Sequence, residues 1–342
     1  KINRNMIKKN EKEAVALALE YGVKYAAEIY NVHPRTVRKW RAKINSEYLD
    51  FEVEDLPTGN LPIGELINDR INKYRIKNDY IAKTDLIKVK VNVDGPIGIA
   101  HFGDPHVDDD GTDLEMLLNH SKIVNDTDGM FAGNVGDIQN NWVGRISHLY
   151  SQQSTSAADS WRLAEHFVSS VPWLYLVGGN HDVWSGAGDP LEWIMSHQSG
   201  VFKNWGVRLK LVFPNKKEVR INCRHDFKGH SMWNTVHGAS KAIQMGWRDH
   251  VLTCGHTHVS GYQVLKDPSS GLISHALRIG SYKIHDRYAM EKGLPDQNIF
   301  VCPVTIIDPQ FADDDPRLIT TIFDPFEAAD YLTYKRKNHG KN

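Results

Sequence analysis

The sequence predicts an α/β domain of alternating strands and helices, preceded by a small all-helical segment. Three observations carry this reading. Apolar runs of strand length recur between Ile87 and Asp308, with helical periodicity between them. Clusters of Asp, His, Asn and Gly follow several of those runs. The segment from Lys1 to Asn45 reads instead as three short helices rich in Lys and Arg.

At 342 residues the chain suits one large domain with an appendage. Its 41% hydrophobic and 24% charged residues belong to the soluble globular class. No stretch approaches the ~20 apolar residues of a membrane helix, so no membrane partner is expected. The opening residues are polar and basic and lack a secretory apolar run, which sets a cytoplasmic expectation. Three cysteines, Cys223, Cys254 and Cys302, are too few and too odd for a disulfide framework. The formal charge of −1 divides unevenly: Lys1 to Asn45 carries +7 and the remainder −8. A basic head on an acidic body suggests a polyanion partner for the head. Bound cations could offset acidic residues in the body.

In order along the chain, Asn10 and Glu13 have capping-box spacing. Ala14, Leu17, Ala18 and Tyr21 then recur at helical intervals, and Gly22 stops the helix. A second helix covers Lys24 to Tyr30 and buries Ala27 and Ile29. Pro34 stands at a first helical position and opens a third helix to about Ile44. That helix buries Val37, Trp40 and Ile44 and turns Arg35, Arg38, Lys39, Arg41 and Lys43 outward. Residues 46–84 form a connector that begins acidic (Glu47, Asp50, Glu52, Glu54, Asp55) and holds a helix near Ile63 to Tyr74. The main domain spans 85–327. It opens with the alternating strand Ile87 to Asn92, the turn Asp94-Gly95-Pro96 and the apolar strand Ile97 to Phe102. Residues 328–342, rich in Tyr and Lys, read as a loose tail.

Five short segments each follow a predicted strand. They are Asp104-Pro105-His106, Gly136-Asp137, Gly179-Asn180-His181-Asp182, His225, and Gly255-His256-Thr257-His258. Loops at strand ends converge on one rim in open α/β folds. Asp-x-His and His-x-His on extended backbone would direct both side chains to one side. Seven mixed carboxylate, imidazole and amide ligands exceed one tetrahedral zinc and suit two borderline divalent ions, Mn²⁺, Fe²⁺ or Zn²⁺. His230 and His237 lie close enough to compete with His225, but only His225 directly ends a strand.

The ordered set D-x-H, G-D, G-N-H-D, H, G-H-x-H resembles the calcineurin-like metallophosphoesterases, a family that includes Mre11-type nucleases. The resemblance covers Ile97 to Asp308. It implies a two-sheet sandwich flanked by helices and a phosphate-ester hydrolase. One metal would be held by Asp104, His106, Asp137 and His258, and the other by Asp137, Asn180, His225 and His256. Manganese is the leading expectation. His181 would face the scissile phosphate, with Asp182 orienting it. Many relatives carry an acidic residue where this chain has Asn140, which puts the role of that position in question.

Asn140, His230 and Lys283 are the candidate substrate contacts, with Arg287 a further phosphate contact. Trp142, Trp184 and Trp233 are candidates for base stacking. Cys223 and Cys254, two residues before ligand histidines, read as buried strand thiols. The basic helices resemble a helix-turn-helix module. Arg35, Thr36 and Lys39 would face bases, and Arg38, Arg41 and Lys43 phosphates. These readings lead to a DNA-directed phosphodiesterase, with a phage or mobile-element origin by analogy. A phosphomonoesterase or protein phosphatase, and a DNA-binding regulator with a structural metal, are the alternatives. Self-association and a protein partner stay open.

Overall fold

In the computed structural model the described residues are 4–47, 59–183, 190–285, 290–291, 293 and 295–340. The acidic residues Asp50 to Asp55, Trp184 and Arg287 lie outside them. The chain divides into two compact units, Lys1–Arg75 and Ile76–Asn342. No described helix is long and apolar enough to cross a membrane.

The first unit contains α1 (Arg4–Tyr21), α2 (Val23–Ile29) and α3 (Pro34–Glu47). Gly22, at φ 93°, ends α1 in a conformation that costs glycine little. Small side chains let the helices approach: Ala18, Ala26, Ala27 and Val37 form the core, and Trp40 packs against it. Three details depart from the sequence reading. Asn10 and Glu13 are internal to α1, which begins at Arg4, so they form no capping box. Tyr21 and Ile29 are exposed, because the narrow inter-helix space is filled by small side chains and Val37. The next helix, α4 (Ile63–Thr84), runs ten residues beyond the predicted Tyr74, and none of its residues is buried.

Among the described residues the second unit has two six-stranded sheets. The strands are β1 (Ile87–Lys90), β2 (Ile97–Phe102), β3 (Met130–Asn134), β4 (Trp173–Gly178), β5 (Val201–Asn204), β6 (Gly206–Val212), β7 (Glu218–Arg224), β8 (Val251–Cys254), β9 (Gly261–Lys266), β10 (Ile273–Arg278), β11 (Val304–Ile307) and β12 (Ile319–Ile322). One sheet has the order β12-β11-β2-β3-β4-β5 and the other β1-β6-β7-β8-β10-β9. β2, β3 and β4 run parallel, as do β7, β8 and β10. Each set therefore ends its strands on one edge.

Period-two alternation decides the layers. Ile97 and Ile99 of β2 join Tyr175, Val177, Leu209, Ile221 and Val251 between the sheets. Ala100 and Phe102 point the other way, into a core with α5 (Leu114–Asp126), α6 (Ala157–Ser169), α8 (Pro190–Met195) and α10 (Pro325–Lys337). α9 (His237–Gln244) covers the far face of the other sheet, with Ala239 and Ile243 on Leu252 and Ala276. The architecture is the expected two-sheet α/β sandwich flanked by helices.

The tail needs correction. Residues 325–337 form α10, capped by Asp324, whose carboxylate accepts the N–H groups of Phe326 and Glu327. Ala328 and Leu332 are fully buried on β2. Tyr334 and Lys337 face outward, while Tyr331 packs against the core and Lys335 pairs with Asp308 at 2.6 Å, so composition hid an anchored helix.

Candidate metal centre

All five motif segments lie at the strand ends of the two parallel sets. Asp104 and His106 follow β2, Asp137 follows β3, and Asn180 opens the short helix α7 (Asn180–Val183) after β4. His225 directly follows β7, and His256 and His258 follow β8. The rim is thus shared by two sheets, rather than belonging to one as the sequence suggested.

The ligand candidates do not converge through extended backbone. His106, Asp137, His256 and His258 have φ of 41°, 51°, 71° and 53°. Left-handed backbone at non-glycine residues costs free energy and persists only where surroundings enforce it. Adjacent glycines make room for the resulting turns. A Cβ at Gly179 would lie 2.2 Å from Asp137 Oδ1, and one at Gly255 would lie 2.5 Å from Asp104 Oδ1.

His225 is the centre of one group. Its Nδ1–H donates to the Val135 carbonyl at 2.9 Å, which leaves a lone pair on Nε2. That lone pair faces Asn180 Oδ1 at 2.8 Å, His256 Nδ1 at 3.0 Å and Asp137 Oδ2 at 3.2 Å. In the neutral ring these contacts set lone pairs against one another, and a cation shared by the four groups would relieve them. Burial opposes charge on His225, yet Asp137 above all pushes its imidazole up to about 10. A proton and a metal ion answer the same need. The ligand atoms of Asp137, His225 and His256 lie within 4.8 Å of one another, the spacing of a candidate cation site.

A second group adjoins it. His106 Nε2 and His258 Nε2 are 3.2 Å apart, and His258 Nε2 is 3.8 Å from Asp104 Oδ2. Asp104 Oδ1 is buried with no hydrogen-bond partner, as is His106 Nδ1. Burial pushes the Asp104 carboxyl up to about 7 against the pull of His225. Burial also raises the Asp137 carboxyl, but His225 and His181 outweigh it and hold the group well below the usual range. His106 is pushed well down by burial and by His258. Asp104, His106, Asp137, Asn180 and His225 are buried, His258 is half-buried and His256 is exposed, so the rim opens to solvent on the His256 side. This donor set, with a buried orphan carboxylate oxygen, fits divalent cations.

His181 approaches the same rim. Its backbone N–H donates to Asp137 Oδ1 at 2.9 Å, and its ring lies edge-on 5.2 Å from that of His106. Its Nδ1–H donates to the backbone carbonyl of Asn140, leaving Nε2 to act. This corrects the role given to Asp182. Both Asp182 oxygens accept backbone N–H groups, from Gly179 at 2.8 Å and Ile138 at 3.1 Å. Asp182 therefore ties two ligand loops together and does not orient the His181 ring.

Asn140 is also corrected. It is fully buried, and its side-chain amide donates to Asp109 at 2.8 Å and Gln153 at 3.1 Å. It reaches His181 through its carbonyl, not a substrate through its side chain. Its N–H donates to Asp108 at 2.7 Å. Lys283 Nζ pairs with Asp109 at 2.9 Å, lies over the Trp142 ring and helps depress His106. Trp142 meets His181 edge-on, with ring centroids 5.2 Å apart.

His230 is exposed on the loop after β7, and His237 begins α9, so of the three histidines His225 occupies the cluster. Trp233, on the same loop, is 94% exposed and contributes no core packing. Cys223 and Cys254 are buried, and burial pushes their thiols up to about 12 and about 11. Asp108, Asp109 and Gln153 were not expected in the site. The run Asp108-Asp109-Asp110, directly after the first motif, was the readable signal for two of them.

In the first unit, Arg35, Arg38, Lys39, Arg41 and Lys43 are exposed on α3, and Thr36 is half-buried. Lys43 pairs with Glu11 at 3.5 Å.

No protein-family model and no curated protein sequence matches this chain. Several solved structures do. A predicted phosphoesterase from Streptococcus pneumoniae is 12% identical over 67% of this chain and 98% of its own, with a TM-score of 0.28. Vps29 from Entamoeba histolytica, in complex with Zn²⁺, is 13% identical over 66% and 97%, with a TM-score of 0.31. Haemophilus influenzae NAD nucleotidase is 9% identical over 66% and 49%, with a TM-score of 0.34. Such scores transfer neither a family nor an activity, and the assignment rests on the side chains of this chain.

Proposed function

We propose that this protein is a metal-dependent phosphodiesterase that hydrolyses DNA, with its amino-terminal helices holding the duplex. The observation that carries the reading is the convergence of Asn180 Oδ1, His256 Nδ1 and Asp137 Oδ2 on His225 Nε2, all within 3.2 Å. Asp137, Asn180, His225 and His256 would hold one divalent cation, and Asp104, His106, Asp137 and His258 a second, Mn²⁺ being the leading candidate. When bound, such cations lower the pKa of water and neutralise phosphoryl oxygens.

The chain's own groups supply the rest. Val135 fixes the His225 tautomer, and Asp137 holds the His181 backbone. The Asn140 carbonyl orients the His181 ring, so that in the doubly protonated ring Nε2–H passes its proton to the departing ester oxygen and leaves a neutral ring bonded to Asn140 through Nδ1–H. Lys283 adds positive charge beside His106, where phosphoryl oxygens would gather. The DNA reading draws on the exposed cations of α3 and on helix-turn-helix resemblance; tethering would raise local substrate concentration.

Hydrolysis of p-nitrophenyl phosphate, bis-p-nitrophenyl phosphate and duplex and single-stranded DNA, with Mn²⁺ added to chelator-treated protein, tests the proposal. Cleavage of the diester and of DNA, lost in Asp137→Ala and His181→Ala, is expected. Activity on p-nitrophenyl phosphate alone would favour the phosphomonoesterase reading, and no activity on any ester would leave a metal-binding regulator.

A further inference from the structure

Arg278 is the last residue of β10 and, among the described residues, the largest fully buried side chain, 2% exposed. Burying a guanidinium is costly unless its donors are matched. Here the matching is incomplete, because Nε has no partner. A group kept at such a cost invites a reason other than stability.

Its contacts supply one. Nη1 donates to the Gly255 carbonyl at 2.7 Å and to Thr257 Oγ1 at 2.8 Å. Nη2 donates to Asp226 Oδ1 at 2.8 Å. Gly255 and Thr257 flank His256, and Thr257 also precedes His258; Asp226 follows His225. One planar fork thus holds the two loops that carry three of the candidate ligands. Both His256 and His258 have left-handed backbone, which must be enforced from outside. The fork bonds on either side of His256 provide that enforcement, together with the His256 N–H to Asp104 Oδ2 bond of 2.6 Å. Asp226 neutralises the guanidinium, so the clamp places little net positive charge beside the cation site.

We propose that Arg278 is a positioning residue for the metal centre, locking the His225 loop and the His256–His258 turn into ligand geometry. This rests on the cation-site reading above, but not on the identity of the substrate. The test is Mn²⁺ binding to the full chain, followed by electron paramagnetic resonance, for wild type, Arg278→Met, Arg278→Lys and Thr257→Val. Thermal midpoints of the metal-free proteins are measured in parallel. Arg278→Met is expected to weaken Mn²⁺ binding by at least about tenfold. Arg278→Lys, which keeps the charge but cannot span both loops, should fall between it and wild type. Thr257→Val, which removes one acceptor, should lose a few-fold. Combining Thr257→Val with Arg278→Lys should cost less than the sum of the two, since both break one clamp. Wild-type Mn²⁺ affinity in both Arg278→Lys and Thr257→Val would overturn the inference, even if Arg278→Met unfolds. Lower midpoints with unchanged affinity would also overturn it and show a merely structural arginine. Failure of the wild type itself to bind Mn²⁺ or Zn²⁺ would instead remove the cation site.

Discussion

The helical amino-terminal unit and the rim of the sandwich place their polar groups in opposite ways. On α3 the cations are exposed, and the small core beneath them is made of alanine and valine. At the rim, Asp104, Asp137, His106, His225 and Asn180 are buried together, and the ligand atoms of Asn180 and His256 converge on that of His225. Exposed charge costs almost nothing, so many roles are compatible with it. Buried, mutually repelling acceptors are expensive without a cation, so they narrow the chemistry sharply. Function is therefore far more constrained at the rim than on the helices.

If that contrast holds, substitutions at the rim should abolish activity while those on α3 only scale it. Asp137→Ala, which removes the proposed bridging carboxylate, should eliminate Mn²⁺-dependent hydrolysis of bis-p-nitrophenyl phosphate. His181→Ala should lower kcat by about 10²–10⁴-fold with Mn²⁺ affinity unchanged, which separates proton delivery from cation binding. A parallel loss of affinity would show that His181 is a ligand.

Fold integrity supplies the next step down. Leu332→Ala should reduce unfolding free energy by ~2–5 kcal/mol in urea titrations, because Leu332 of α10 is fully buried against β2. An unchanged midpoint would restore the loose-tail reading. Replacing Arg38, Arg41 and Lys43 together by Ala should weaken duplex binding and reduce its log–log salt slope by about three, leaving small-substrate hydrolysis intact. Unchanged DNA affinity would remove the helices from substrate binding.

The most gradual effect is acid sensitivity. His101 is fully buried, its ring nitrogens bonded to Tyr175 at 2.7 Å and Thr305 at 2.9 Å, and burial pushes it down to about 3. Below pH ~6.5 the unfolded chain takes up a proton that the folded protein refuses until about pH 3. Stability should thus fall through that window by up to ~1.4 kcal/mol per pH unit from this group. Denaturant titrations of His101→Gln should show a correspondingly shallower decline, and parallel curves would refute the assignment.

Much of the rim was legible in the sequence because each ligand candidate follows an apolar strand run. β2 appears with the expected bounds, and His225 takes the cluster position over His230 and His237. What stayed hidden depends on distant chain crossings. Nothing local announces that β7 and β8 belong to one sheet and β2 to β4 to another. The left-handed turns at His106 and His256 replace the expected extended backbone. Asp182 was misassigned because adjacency to His181 says nothing about where a carboxylate points once Gly179 and Ile138 offer free N–H groups. Arg278 had a signal, an arginine closing the buried run ISHALR, but its partners lie 21 to 52 residues away. α10 was misread because its outer residues outnumber Ala328, Ala329 and Leu332.

Anomalous diffraction from crystals of the protein soaked in Mn²⁺ tests the cation site most directly. Two peaks are predicted, one among Asp137, Asn180, His225 and His256 and one among Asp104, His106, Asp137 and His258. No peak at the rim, or manganese held only by other side chains, would contradict it.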